Sequence, residues 1–203
     1  MINRSRQFFE WMDNRRTVRD FSDKPIPREV IENIIKTAST APSGAHKQPR
    51  TFCVVADAAL KKQIRTAAEA QEKESYEHRM TAEWLHDLAP LGTNWHQPFL
   101  EIAPCLIIVF KKPYDYDENH LKKNNCYVTE SVGIACGMLL AAIHHAGLVA
   151  LTHTSGPMNF LMKVLDRPDN ERPFLLIPVG YAADQVCVPQ ISRKMPDEIS
   201  VWY

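Results

Sequence analysis

The chain has 203 residues, with 24 basic and 24 acidic side chains, which suits one domain, 1–203, with a sizeable core. Basic and acidic residues are interspersed except at "RRTVR", so no long basic face offers itself to nucleic acid or anionic lipid. The first sixteen residues, "MINRSRQFFEWMDNRR", lack a signal-peptide core and no apolar run approaches membrane-spanning length, so a cytoplasmic protein is expected. The five cysteines are widely spaced without a CxxC, and the eight histidines form no HExxH, which argues against a disulfide framework and against a metal site.

In chain order, an amphipathic N-terminal helix precedes "PREVIENIIKTAS", where Val30, Ile31, Ile34, Ile35 and Ala38 recur at helical spacing and Pro27 opens the helix. "TFCVV" (51–55) reads as a strand, and Asp57 caps the helix "AALKKQIRTAAEAQ". From Glu69 to about Phe99 the chain is charged and aromatic together with weak periodicity, which suits a mobile cover better than a core element. "CLIIVF" (105–110) is a fully apolar short strand. "ESVGIACGMLLAAIHHAGL" is apolar on nearly every face and reads as a central buried helix, with His144 and His145 near its C-terminal end. "VALTH", a helix from about Met158 to Leu165 and the strand "FLLIPVGYA" complete an α+β chain, its sheet sandwiched by helices.

Three polar constellations stand out. Arg15, Arg16 and Arg19 with Thr17 follow the first helix, as forks for phosphate oxygens or as a solvated basic turn. "APSGAHKQP" (41–49) follows the second helix, where Ser43 offers a hydroxyl and Gly44 lets backbone amides approach a planar ligand; such residues also make simple connectors. "LTHTSGP" (151–157) lies at a strand end, where ligands bind in such sheets and where hydroxyls also cap helices. A late pair, Arg193 and Lys194, adds further charge.

"RRTVRDF", "APSGAHKQP", "GIACGMLLAAIHHAGL", "PVGY" and "SRK", in this order, resemble the nitroreductase-fold flavoproteins, and among them the iodotyrosine deiodinases, which share the "Y..RM" and "TNW" elements of the cover. The resemblance implies a central mixed sheet between helices, a helical lid over about 69–99, and a homodimer with FMN at the subunit interface. The family's membrane anchor finds no match, so a soluble form is expected. The implied FMN contacts fall on Arg15, Arg16, Thr17, Ser43, Gly44, Thr152, His153, Thr154 and Arg193. Thr154 is placed beside flavin N5, where a hydrogen bond favours one-electron chemistry. The Ala45 amide points at a substrate phenolate, while Glu72 and Tyr76 grasp an amino-acid zwitterion. The family's lysine, two positions after the tryptophan of "TNW", is Gln97 here, an amide without charge.

The activity so implied is reductive removal of halide from a 3-halotyrosine, with electrons from NAD(P)H directly or through a reductase. A broader FMN nitroreductase acting on nitroaromatics or quinones is the alternative, and a flavin- or halotyrosine-binding module without turnover is a third.

Overall fold

The computed structural model describes residues 1–154 and 156–203. Helix α1 (Ile2–Asp13) leaves Phe8 and Phe9 exposed. Pro27 N-caps α2 (Arg28–Ser39), whose Ile31, Ile34 and Ala38 form one buried stripe. After β1 (Arg50–Val55), the Asp57 carboxylate accepts from Leu60 N at 2.7 Å and caps α3 (Ala58–Glu74), a contact worth about 1 kcal/mol. A π-turn (Ser75–Arg79) leads to α4 (Ala82–Leu88), which Thr81 caps, and a 3₁₀ turn (Ala89–Leu91) follows. The chain then forms α5 (Phe99–Ile102), β2 (Cys105–Lys111) and a hairpin of β3 (Tyr114–Tyr116) and β4 (Lys122–Asn124). Helix α6 (Val128–His145), β5 (Val149–Ala150), α7 (Phe160–Val164), β6 (Arg172–Gly180) and α8 (Pro196–Ile199) complete it.

The main sheet has the order β1-β2-β6-β5, each neighbouring pair antiparallel. The apolar run of β2 is central, and its alternate side chains serve two cores. Cys105, Ile107 and Val109 pack with α2 and α6, whereas Leu106, Ile108 and Phe110 pack with residues of α3, α5 and α7. Burial on both faces explains why this strand has no polar alternation. Each fully buried Ile, Leu or Phe contributes about 1.5–3 kcal/mol, so the two layers fix the sheet between its helices.

Among the described residues, the mixed character expected of the sheet is confined to one parallel bridge, Thr17 to Ala150. Val18 N donates to Ala150 O at 3.3 Å beside it, and Ser22 N donates to Tyr181 O at 2.9 Å. These bonds dock the arginine-bearing segment on the β5 edge.

Two expectations need correction. Helix α6 is buried along one face only: Ser131, Val132, Ala135, Cys136, Leu139 and Ile143 are inside, while Gly133, Ile134 and Gly137 are exposed. Contrary to the hydropathy reading, its 18 residues, with mean hydropathy 1.3, are long and apolar enough to cross a membrane by length and composition; the inner face packs instead on α2 and the sheet. The cover is also narrower than 69–99. Residues 69–74 are the last turns of α3, and Gln97 and Phe99 are buried where α5 enters the core.

Candidate active site

Two of the three constellations come together in the fold, His153 lying within reach of the Arg19 charge, whereas the 41–49 loop packs at the opposite, N-terminal end of α6. Arg15, Arg16, Thr17, Arg19 and Arg193 line a cleft of about 240 Å³ that Leu91 of the cover also walls. Arg193 donates to Asp13 Oδ1 at 2.6 Å, to Asp13 O at 3.2 Å and to Arg15 O at 3.1 Å. Arg16 donates to Pro189 O. Burial, then the charges of Arg193 and Arg16, push the Arg15 guanidinium below its ordinary pKa. Among the described residues the Arg15 and Arg19 side chains have no hydrogen-bond acceptor. Cations held together against their own repulsion make a receptor for a multiply charged anion, and guanidinium forks suit phosphate.

The loop after α2 is held in an unusual backbone. Ala45, His46 and Gln48 have φ of 47°, 55° and 49°, a region that side-chain-bearing residues adopt at a cost. Ser43 Oγ accepts from Gln48 N at 2.9 Å and keeps its own proton to donate. The Arg50 guanidinium closes the loop by donating to Ser39 O at 2.8 Å and Ala41 O at 3.1 Å. Gly44 also has a packing reason to be glycine. A β-carbon there would lie 3.0 Å from Cys126 O and from the Tyr127 ring, so the residue makes room for the start of α6. Its N–H donates to Ser131 Oγ at 3.2 Å. The next amide, Ala45 N–H, has no acceptor among the described residues.

At the third constellation, Thr152 and Thr154 are exposed and His153 between them is buried. Its backbone pairs with β6, His153 N donating to Leu176 O at 2.8 Å and Leu176 N to His153 O at 3.1 Å. That pairing turns the ring inward, edge-on to Phe99. Burial, and then the nearby Arg19 charge, pull its pKa down to about 4, so the imidazole is neutral at pH 7. Ser155 of the same motif lies outside the described residues.

The cover meets both places. Ser75 Oγ and Arg79 Nη1 donate to Gly156 O at 3.3 and 3.2 Å, tying the π-turn to the loop that carries Thr154. The Tyr76 and Thr93 hydroxyls hydrogen-bond at 3.1 Å, joining the cover's two halves, and the Arg19 charge is felt from Tyr76. Glu72 is half-buried, and burial alone raises its carboxyl pKa. Gln97 departs from the expected placement on the cover. It is 3% exposed, its N–H donates to Glu69 Oε1 at 2.8 Å, and its Oε1 is buried without a hydrogen-bond donor among the described residues. Pro98 and the core side chains Phe99 and Leu100 pull this segment inward.

Thr93, Arg79 and Ser131 escaped the sequence reading as site residues. Thr93 and Arg79 stood inside the quoted elements "TNW" and "Y..RM", but nothing there gave their partners. Ser131 left no signal, since a hydroxyl in an apolar helix is unremarked until its neighbour is known.

Residues 12–181 match the model of the Nitroreductase family. The chain belongs to the nitroreductase family. Within the family it is 62% identical to an iodotyrosine deiodinase of Haliscomenobacter hydrossis over 203 residues, covering all of this chain and 91% of that one. It is 45% identical to iodotyrosine deiodinase 1 of Homo sapiens over 204 residues, covering 99% of this chain and 70% of that one. Among solved nitroreductase folds, oxidized iodotyrosine deiodinase bound to FMN and 3-iodo-L-tyrosine matches with a TM-score of 0.80 and 33% identity, covering 93% of this chain and 95% of that one.

Proposed function

We infer that this nitroreductase-family chain is an FMN-dependent iodotyrosine deiodinase, removing halide reductively from a 3-halotyrosine to give tyrosine. The observation that carries the reading is the whole-chain similarity to iodotyrosine deiodinases, which extends through the cover segment. In the net reaction the carbon–halogen bond breaks, the halide leaves with its electron pair, and the ring carbon gains two electrons and a proton. FMN, once reduced by an external electron donor, would supply those electrons when bound. The cationic cleft fits it: Arg15, Arg16 and Arg193, with the Thr17 hydroxyl, would hold the cofactor phosphate. The free Ala45 N–H would donate to the substrate phenolate, lowering the energy of the anion. Thr154, exposed at its strand end and linked through Gly156 to the cover, would present its hydroxyl to the flavin. Glu72 and Tyr76 would hold the substrate's zwitterion, and closure of the cover would exclude water.

The working unit in this reading is a homodimer. Helix α6 exposes Gly133, Ile134 and Gly137, and a β-carbon on either glycine would meet nothing within 4 Å, so a second copy can approach closely. NAD(P)H, directly or through a reductase, is the proposed electron source.

Mixing dithionite-reduced, FMN-loaded protein with 3-iodotyrosine without oxygen tests the activity. Iodide should appear as the flavin reoxidises. Reoxidation without iodide, or a colourless protein that binds no FMN, overturns the reading.

A further inference from the structure

We propose that Ser131 is a positioning residue that fixes the Ala45 N–H on the substrate's phenolate; this rests on the reading of Ala45 as the phenolate donor. Ser131 lies in the first turn of α6 and is 2% exposed, packed in a row with Val132, Ala135 and Cys136. A buried hydroxyl in apolar surroundings is costly unless it is hydrogen-bonded. Its oxygen accepts from Gly44 N at 3.2 Å, from a loop 87 residues earlier in the chain.

That bond bears on a backbone that would otherwise relax. Ala45, His46 and Gln48 are left-handed without being glycine, and such residues drift toward right-handed geometry unless the surroundings hold them. The held geometry has two supports, both at the start of α6. Ser131 grips the Gly44 N–H. Beside it, Cys126 O and the Tyr127 ring stand 3.0 Å from where a Gly44 β-carbon would be, so the loop is packed closely against the beginning of that helix. Gly44 O, which shares a peptide plane with the Ala45 N–H, accepts from Lys47 N at 3.0 Å, so with the Gly44 N–H also gripped by Ser131 both peptides of that residue are held and the Ala45 N–H is oriented. A donor held in place before its ligand arrives pays no reorganisation when an anion forms against it. Ser131 never touches the substrate. It acts through Gly44.

The test uses 3-fluorotyrosine bound to oxidised, FMN-loaded enzyme without reductant, followed by ¹⁹F NMR across pH. In the parent the bound ring should be a phenolate well below the pH at which the free phenol ionises. Ser131→Ala should raise the bound midpoint by about one unit and weaken binding about tenfold, the loss expected of one oriented hydrogen bond. FMN retention should fall far less than halotyrosine binding, because the arginine cleft proposed to hold the phosphate is built elsewhere. Should Ser131→Ala lose the fold, Ser131→Cys carries the same comparison, keeping the volume while offering only a weak sulfur acceptor. Parent-like midpoint and affinity in the folded variant overturn the role of Ser131. A parent that binds the neutral phenol at every pH overturns the role of Ala45 first, and that of Ser131 with it.

Discussion

The arginine cleft and the cover meet at Leu91, yet they are built by different means. The cleft rests on backbone: the Thr17–Ala150 bridge, Val18 N on Ala150 O, Ser22 N on Tyr181 O and Ala183 N on Asp20 O fasten its segment to the sheet edge. Arg193 then locks the C-terminal segment onto Asp13 and Arg15 with three more bonds. The cover's π-turn continues the backbone of α3 and closes with Met80 N on Ser75 O, but among the described residues only side chains tie it to the rest of the site, Ser75 and Arg79 directed at Gly156 O and Tyr76 reaching Thr93. Backbone pairing next to a buried sheet opens only with the sheet, whereas single side-chain bonds open one at a time. The cleft is therefore the more firmly held of the two, and the cover is the part that opens more readily.

The largest effect should come from breaking the sheet-anchored half with acid. His153 has a folded pKa of about 4, below the ordinary 6.5, so the unfolded chain binds a proton more readily. Its stability contribution is complete above pH 6.5, falls as pH drops toward 4 and flattens below, a loss of up to about 3 kcal/mol. Urea titrations across this range should show the slope, and His153→Gln should flatten it; a slope unchanged in that variant would place the acid sensitivity elsewhere.

Next in size, Arg16→Ala should weaken FMN by about 1.5–3 kcal/mol, the range for a hydrogen bond to a charged group. Flavin fluorescence after ultrafiltration reads this directly. Retention equal to the parent would mean the cationic cleft is not the phosphate site.

On the cover, Thr93→Val should weaken halotyrosine by about 1 kcal/mol, Tyr76→Phe by more because its hydroxyl is also proposed to meet the substrate, and the double variant should cost little more than Tyr76→Phe alone, since the shared bond is already gone. FMN affinity should stay at the parent value in all three. If FMN is lost with the substrate, the cover is as much part of the cofactor site as the cleft is, and the contrast fails.

The smallest change is expected at Gln97. Because its Oε1 is buried with no donor among the described residues, Gln97→Met keeps the volume and removes an unsatisfied acceptor, so stability should hold or rise by under about 1 kcal/mol. A clear loss in thermal unfolding would show that the amide is satisfied on ligand or partner binding.

Sequence alone determined the elements whose cause is local. The apolar run of β2, the Asp57 cap and the Ile31, Ile34, Ala38 stripe each follow from spacing or from a neighbour within four residues, and all three stand in the structure. The ordered motifs likewise carried the family and the arginine segment. What tertiary structure alone decided is which way individual side chains face. His153 turns inward because β6 pairs with its backbone, Gln97 sinks because α5 docks, and Gly44 is glycine because α6 begins beside it. The one-sided burial of α6 has the same origin: an apolar helix reads alike whichever of its faces the core covers, and only packing tells them apart. Each of these outcomes is set by a contact distant in sequence, and no local pattern of residues encodes a partner that the chain brings near only by folding.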